Sequence, residues 1–209
     1  MATRKRPDPA DWIGDDERTD RERMLAGDWY TSGDPDSRAI SARADELCLL
    51  YWQEWARDQT GAQRHLRELI GSLGEGVRIK PPLNVDYGRN ISIGEGTFIN
   101  YGLTALDVAP IWIGVHCQIG PNVQLLTPVH PVEPGPREAG LESADPITIG
   151  DNVWLGGGVI VCPGVTIGDD SVIGAGSVVT RDVPAGVIAV GQPAHVLREI
   201  DDSAFRLRR

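Results

Sequence analysis

The chain has 209 residues, of which 41% are hydrophobic and 6% aromatic, with 25 Gly and 15 Pro. This supplies a core for one large domain, or one domain with an appendage, and the many turn formers point away from a helical bundle. A formal net charge of -10 argues against a general nucleic-acid or anionic-membrane binder, so any polyanionic ligand must be met by local Lys or Arg.

Residues 1–20 are charged and contain Pro, which predicts a mobile N-terminal arm. Arg4, Lys5 and Arg6 have no apolar stretch behind them, unlike a secretory signal. No run approaches the ~18 apolar residues of a spanning helix. Cys48, Cys117 and Cys162 are widely spaced and form no C-x-x-C pair, so they read as free thiols of a reducing compartment. A cytoplasmic location is expected.

A helical segment is expected over 21–75. Its first helix runs from Ser37 to Asp58, with Ile40, Ala44, Leu47, Leu50, Tyr51 and Trp55 near helical spacing and Asp36 or Ser37 as cap. A second, around Gln63 to Leu73, places Leu66, Leu69, Ile70 and Leu73 on one face, and Gly74 and Gly76 stop it.

From residue 76 to 190 the pattern changes to short strand-like runs. Ile149, Leu155, Val161, Ile167, Ile173 and Val179 recur every six residues, and Gly follows directly after four of them. The register extends back through Ile113, Ile119 and Leu125, and before that through Ile93, Ile99 and Ala105. Two residues are inserted near "LDVAP", and a loop of about 126–146 leaves and re-enters in phase. A six-residue period fits neither a helix nor a lone strand. It predicts a mainly β chain folded as a parallel β-helix of hexapeptide rungs, with inward aliphatic residues and turns of Gly, Asn or Asp. Residues 191–209 form a C-terminal tail.

The run "PITIGDNVWLGGGVIVCPGVTIGDDSVIGAGSVVTRDVPAGVIAVGQPAHVLREI", together with "MLAGDWYTSGDPD", "FINYGLTALDVAPIWIG" and the loop "TPVHPVEP", resembles the hexapeptide-repeat O-acetyltransferases of the maltose, galactoside and nodulation-factor type. The resemblance spans about Arg21 to Ile200. It implies a left-handed parallel β-helix, a homotrimer, acetyl-coenzyme A bound between neighbouring coils, and a small hydroxylated acceptor of the sugar class.

Moving an acetyl group from a thioester to a hydroxyl needs a base, an oxyanion donor and a means of holding both substrates. A wall of rungs has no pocket, but an extruded loop can overhang it, and an imidazole exchanges its proton near working pH. By resemblance His130 is the general base. The matching acceptor residues are Asn100 and Asp107, facing the His of an adjoining chain, with Tyr87, Asp86, Tyr30, Ser32 and Asp34 completing the site. On the donor side the resemblance places Trp154 beside the pantetheine and the Gly157 N–H as oxyanion donor. It places Gly120, Ala175, Thr180 and Arg181 along the same groove. Arg181 and Arg198 can meet phosphate charge. His195 stands where relatives often carry Arg. His65 reads as the polar side of a helix and His116 as a turn residue, and no second histidine stands at metal-ligand spacing, so no metal is expected. Three other readings stand beside this one: transfer to an antibiotic, serine or amine; a non-catalytic β-helical scaffold; and a zinc-dependent hydratase, which the scattered histidines disfavour.

Overall fold

The computed structural model describes Asp8, residues 16–201 and Ser203. Residues 1–7 and 9–15 of the expected arm, and the final "RLRR" of the tail, lie outside the described residues.

Helix α1 (Asp20–Ala26) opens the described chain. Thr19 and Glu22 form a reciprocal capping box, and Gly27 ends the helix in a left-handed conformation. Helix α2 (Pro35–Trp55) is capped not by Asp36 or Ser37 but by Asp34, which accepts from the Ser37 N–H. Proline at the first helical position fixes that start. Helix α3 (Gln59–Leu69) begins earlier than the spacing implied, because Asp58 turns its carboxylate onto the Thr60 and Gly61 N–H groups. It also ends earlier. Ser72–Leu73 is already a strand, paired with Ser92–Ile93, so the interval from Leu66 to Leu73 imitates a helical repeat across a boundary.

The rest is a parallel β-helix with three faces. Face 1 stacks Ser72–Leu73, Ile91–Ile93, Ile111–Ile113, Ile147–Ile149 and Thr166–Ile167. Face 2 begins at Arg78–Ile79 and ends at Val187–Gly191, and face 3 runs from Leu83–Val85 to Val178–Val179. Successive six-residue steps visit the three faces in turn. Ile149 therefore pairs with Ile167, Leu155 with Ile173 and Val161 with Val179, each eighteen residues on. These inward residues are 0–2% exposed and form one continuous core. Helices α2 and α3 close its first coil: Leu47, Tyr51, Leu66 and Leu69 join that core, and the Tyr51 hydroxyl donates to the Ile79 carbonyl. At the other end Ala194–Glu199 folds back antiparallel on Val187–Gly191.

The glycines divide into two classes that the sequence pattern had merged. Those directly after the aliphatic residue do not have positive φ. They permit close stacking: a Cβ at Gly94 would lie 2.6 Å from the Gly114 carbonyl carbon, and one at Gly120 would lie 2.6 Å from the Gly157 nitrogen. The left-handed positions fall two residues later, at Gly96, His116, Asn122, Asn152, Gly158, Asp170 and Gly176. His116 is thus a turn residue whose conformation Asn, Asp and Gly fill elsewhere.

The departures from the eighteen-residue coil collect at one corner, between face 3 and face 1. The early coils are twenty residues long, pairing Leu73 with Ile93 and Ile93 with Ile113. Their extra residues sit at 86–90 and 107–110. The third departure at this corner is the extruded loop. It forms the strand Pro128–Val129, helix α4 (Pro134–Glu138) and the strand Leu141–Ala144, which returns antiparallel on the first. Leu141–Ala144 also pairs with Tyr30–Thr31 from the N-terminal segment. The buried Ser143 hydroxyl adds a bond of 3.0 Å to the Gly27 carbonyl.

Candidate functional site

The corner between faces 3 and 1 gathers most of the expected acceptor residues. Asp107 is 0% exposed. Its Oδ1 accepts from the N–H groups of Asp86 at 3.0 Å and Tyr87 at 2.8 Å, and its Oδ2 from that of Asn90 at 3.1 Å. The Asn90 side chain returns a bond of 2.7 Å to the Asp107 carbonyl. One insertion therefore holds the other through a buried carboxylate. Thr127 anchors the loop to the same place: its hydroxyl donates to the Leu106 carbonyl at 2.6 Å and accepts from the Ala109 N–H at 3.0 Å. Met24, Tyr30, Val108, Ala109 and Ala144 pack as a small apolar cluster over this junction, with Tyr87 against it.

Beside it opens a cleft of about 180 Å³ whose lining includes Asp20, Tyr30, Thr31, Ser32, Asp34 and Tyr87. Asp34 meets the cleft but its carboxylate is engaged as the cap of α2. Asn100 is placed apart from this group. It lies at the corner between faces 2 and 3, where its Oδ1 accepts from the Tyr101 N–H at 2.9 Å and Lys80 sits 4.6 Å over the Tyr101 ring.

His130 is exposed on the extruded loop. Its Nδ1 lies 3.3 Å from the Leu141 carbonyl oxygen. A carbonyl oxygen only accepts, so this contact assigns the imidazole proton to Nδ1 and leaves Nε2 as the basic nitrogen. The carbonyl belongs to the strand that pairs Leu141 with Thr31 and Glu142 with Tyr30. The histidine and the cleft wall are thus held by one small sheet.

The expected donor residues are spread over two corners, face 2 and the terminal strand. Gly120, Gly157 and Ala175 stack in successive coils at the corner between faces 2 and 3. The Gly157 and Ala175 N–H groups donate to no backbone carbonyl, whereas Gly156 and Gly158 beside them do, to Ile173 and Pro121. Trp154 stands outward on face 2 at 56% exposure, opposite Gln118 and Val172. Thr180 and Arg181 follow the last strand of face 3, and Arg198 lies on the terminal antiparallel strand opposite Ile188. His195 pairs with Val190 on that strand.

The maltose acetyltransferase hexapeptide capping motif matches residues 23–74, and the bacterial transferase hexapeptide (six repeats) matches 146–181. Nodulation protein L of Rhizobium meliloti is 47% identical over 179 residues, covering 86% of this chain and 98% of that protein. The chain belongs to the hexapeptide-repeat acetyltransferase family. A maltose O-acetyltransferase of Clostridium difficile superposes with a TM-score of 0.86 at 41% identity, over 89% of this chain and all of the other. A hexapeptide-repeat acetyltransferase of Vibrio cholerae, solved with acetyl-coenzyme A, gives 0.82 at 38% identity, over 88% of this chain and all of that one.

In this hexapeptide acetyltransferase the cleft contains groups that the sequence did not single out. Thr31 donates to Asp20 at 2.8 Å, and Arg38 donates to the Gly33 carbonyl at 2.9 Å. Glu142, outside the cleft lining, comes near Tyr30 and Asp86 because its strand pairs with Tyr30. Nothing in the sequence announces that pairing, whereas the Thr19-x-x-Glu22 box before α1 was readable. His65 was expected on a polar face. It is instead largely covered, with Nε2 2.8 Å from Glu54 across the α2–α3 contact. Among the described residues no three His, Cys, Asp or Glu side chains group as a metal site, and no helix is long and apolar enough to cross a membrane. Cys48, Cys117 and Cys162 are unpaired thiols.

Burial pushes the Asp86 carboxyl up to about 6, with the charges of Asp107, Glu142 and Asp45 adding to it. Burial, with Glu142 the leading charge, likewise raises the Tyr30 phenol. An Asp whose folded value lies above its ordinary 3.8 supports the fold most fully when protonated. That support is complete below the unfolded value and is lost as pH rises through about 6. Asp86→Asn should therefore melt above the parent protein at about pH 7.5 and level with it near pH 4. A difference in melting temperature that does not change with pH would assign the effect to packing instead.

Proposed function

We propose that the chain transfers the acetyl group of acetyl-coenzyme A to a hydroxyl of a sugar or sugar-like acceptor, with His130 as general base. The observation that carries this is the His130 imidazole, tied through Nδ1 to the strand that pairs with Tyr30–Thr31 of the cleft wall. Nε2 is left to take the hydroxyl proton as the oxygen attacks the thioester carbonyl. The tetrahedral oxyanion is met by a backbone N–H, for which Gly157 is suited because it is unengaged and carries no side chain. Collapse of that intermediate expels the coenzyme A thiolate, and the imidazolium returns its proton to the sulfur.

The base and the cleft lie at one corner of the solenoid, while Gly120, Gly157, Ala175 and Asn100 lie at another. The proposed site is therefore assembled between two chains of a homotrimer, the corner of one facing the corner of the next. Trp154 lines the pantetheine, and Thr180, Arg181 and Arg198 hold the phosphate-bearing end. An acidic chain must do this by local contacts. Asp107 serves by fixing Asp86 and Tyr87, since its own oxygens are occupied. The test is a screen of maltose, galactosides, serine and aminoglycosides for acetyl-coenzyme A-dependent thiol release, with the product's acetylated atom located by NMR. O-acetylated sugar is the expected product. Acetylation confined to amines, or no acceptor-dependent release, would sink the reading.

A further inference from the structure

Ser37 opens α2 and faces the cleft. It is 8% exposed, and among the described residues its Oγ is the buried side-chain oxygen or nitrogen without a hydrogen-bond partner. The neighbouring polar groups are differently placed. The Thr31 hydroxyl is engaged by Asp20, Asp34 by the helix start, and the Arg38 guanidinium by a carbonyl. Beside Ser37 stands Tyr87. Burial, with the charges of Asp86 and Glu142, pushes that phenol above its ordinary value; the nearby serine hydroxyl opposes this shift but is not in bonding geometry. Among the described residues the Tyr87 O–H has only the Met24 sulfur at 3.6 Å, a weak acceptor.

A hydroxyl buried without a partner works against folding, and alanine would remove that cost at almost no change of volume. Its presence at the wall of an open cleft is accounted for if a ligand completes it. A serine hydroxyl carries no charge and can both donate and accept, which matches an acceptor hydroxyl. We infer that Ser37 is a specificity-determining contact, hydrogen-bonding one hydroxyl of the acceptor, with the Tyr87 phenol as its neighbour on the same substrate. This rests on the proposed reading of the cleft as the acceptor pocket.

The inference separates function from stability in opposite directions. Ser37→Ala should melt at or above the wild-type temperature, and should still raise the acceptor KM about tenfold, the value of one neutral hydrogen bond. The KM for acetyl-coenzyme A should stay unchanged. Calorimetric titration with maltose and with methyl β-D-galactoside, in the absence of acetyl-coenzyme A, should show the same loss of affinity without depending on turnover. Among monodeoxy analogues of the better ligand, one should bind wild type and Ser37→Ala equally, which identifies the hydroxyl concerned. Tyr87→Phe is the control for the cleft. If it weakens the acceptor and Ser37→Ala does not, the cleft stands and the Ser37 contact is wrong. If neither variant has an effect, or neither sugar binds the wild type, the contact and its pocket fall together. A lower melting temperature with unaltered acceptor affinity would make Ser37 purely structural, and also overturns the inference.

Discussion

His130→Ala should lower kcat by about 10²–10⁴, the usual contribution of a positioned general base. The KM for acetyl-coenzyme A should stay near wild type, because the loop that carries the histidine leaves the solenoid at a different corner from Gly120, Gly157 and Ala175. The magnitude depends on orientation as well as on chemistry. With Nδ1 held at 3.3 Å from the Leu141 carbonyl, the ring is offered in one tautomer and one direction, so no reorientation precedes the step. His130→Asn should not rescue the rate, since an amide has no nitrogen able to accept the proton. Steady-state thiol release on an active acceptor is the measurement. A variant that keeps kcat within twofold of wild type would exclude His130 as the base.

Asp107→Ala should be the most damaging single change to the scaffold of the site. It removes the acceptor of three backbone N–H groups at a position that is 0% exposed, so water cannot readily take its place. Each buried donor left unpaired costs about 1–3 kcal/mol, partly relieved because burial pushes the Asp107 carboxyl above the usual range and its removal ends that desolvation. We expect a net loss of about 3–5 kcal/mol, a fall of ~10 °C in Tm for a chain of this size. The acceptor KM should rise in whatever folded protein remains, because Asp86 and Tyr87 are placed by those same bonds. Asp107→Asn, which keeps one acceptor oxygen, should fall between the two. Thermal unfolding that moves by less than 2 °C for Asp107→Ala would show that the insertion holds its shape without the carboxylate.

The parallel β-helix was legible because its period is written in single residues. Each aliphatic side chain from Ile149 to Val179 fills the same interior position on the next face, so one spacing repeats without interruption. The candidate site offered its parts in the sequence but not its assembly. His130 stands out as a lone histidine in the interrupting loop. Glu142 and Ser37 do not, because their importance comes from a strand pairing between positions about 110 residues apart and from a missing partner, and neither leaves a local pattern. The role of Asp107 was hidden for a related reason. As a residue type it reads equally well as a ligand contact or as a backbone clamp, and only its burial and its three donors show the clamp. The merged glycine classes show the same limit: close stacking and left-handed turns both select Gly, and the sequence spells them alike.

The corner between faces 3 and 1 has a consequence for how such a molecule can vary. Elsewhere in the solenoid a one-residue insertion would turn every later side chain of its strand from core to solvent. At this corner the added residues lie outside the ladders, and the strands beyond them pair as before: Ile111–Ile113 with Ile91–Ile93, and Ile147–Ile149 with Ile111–Ile113. The chain can therefore gain or lose length there in any amount without re-indexing its core. That freedom coincides with the wall of the proposed acceptor cleft and the root of the His130 loop. On the proposed reading, acceptor preference can drift through insertions and deletions at this edge, while the corner of Gly120, Gly157 and Ala175, counted out in rigid steps, stays fixed.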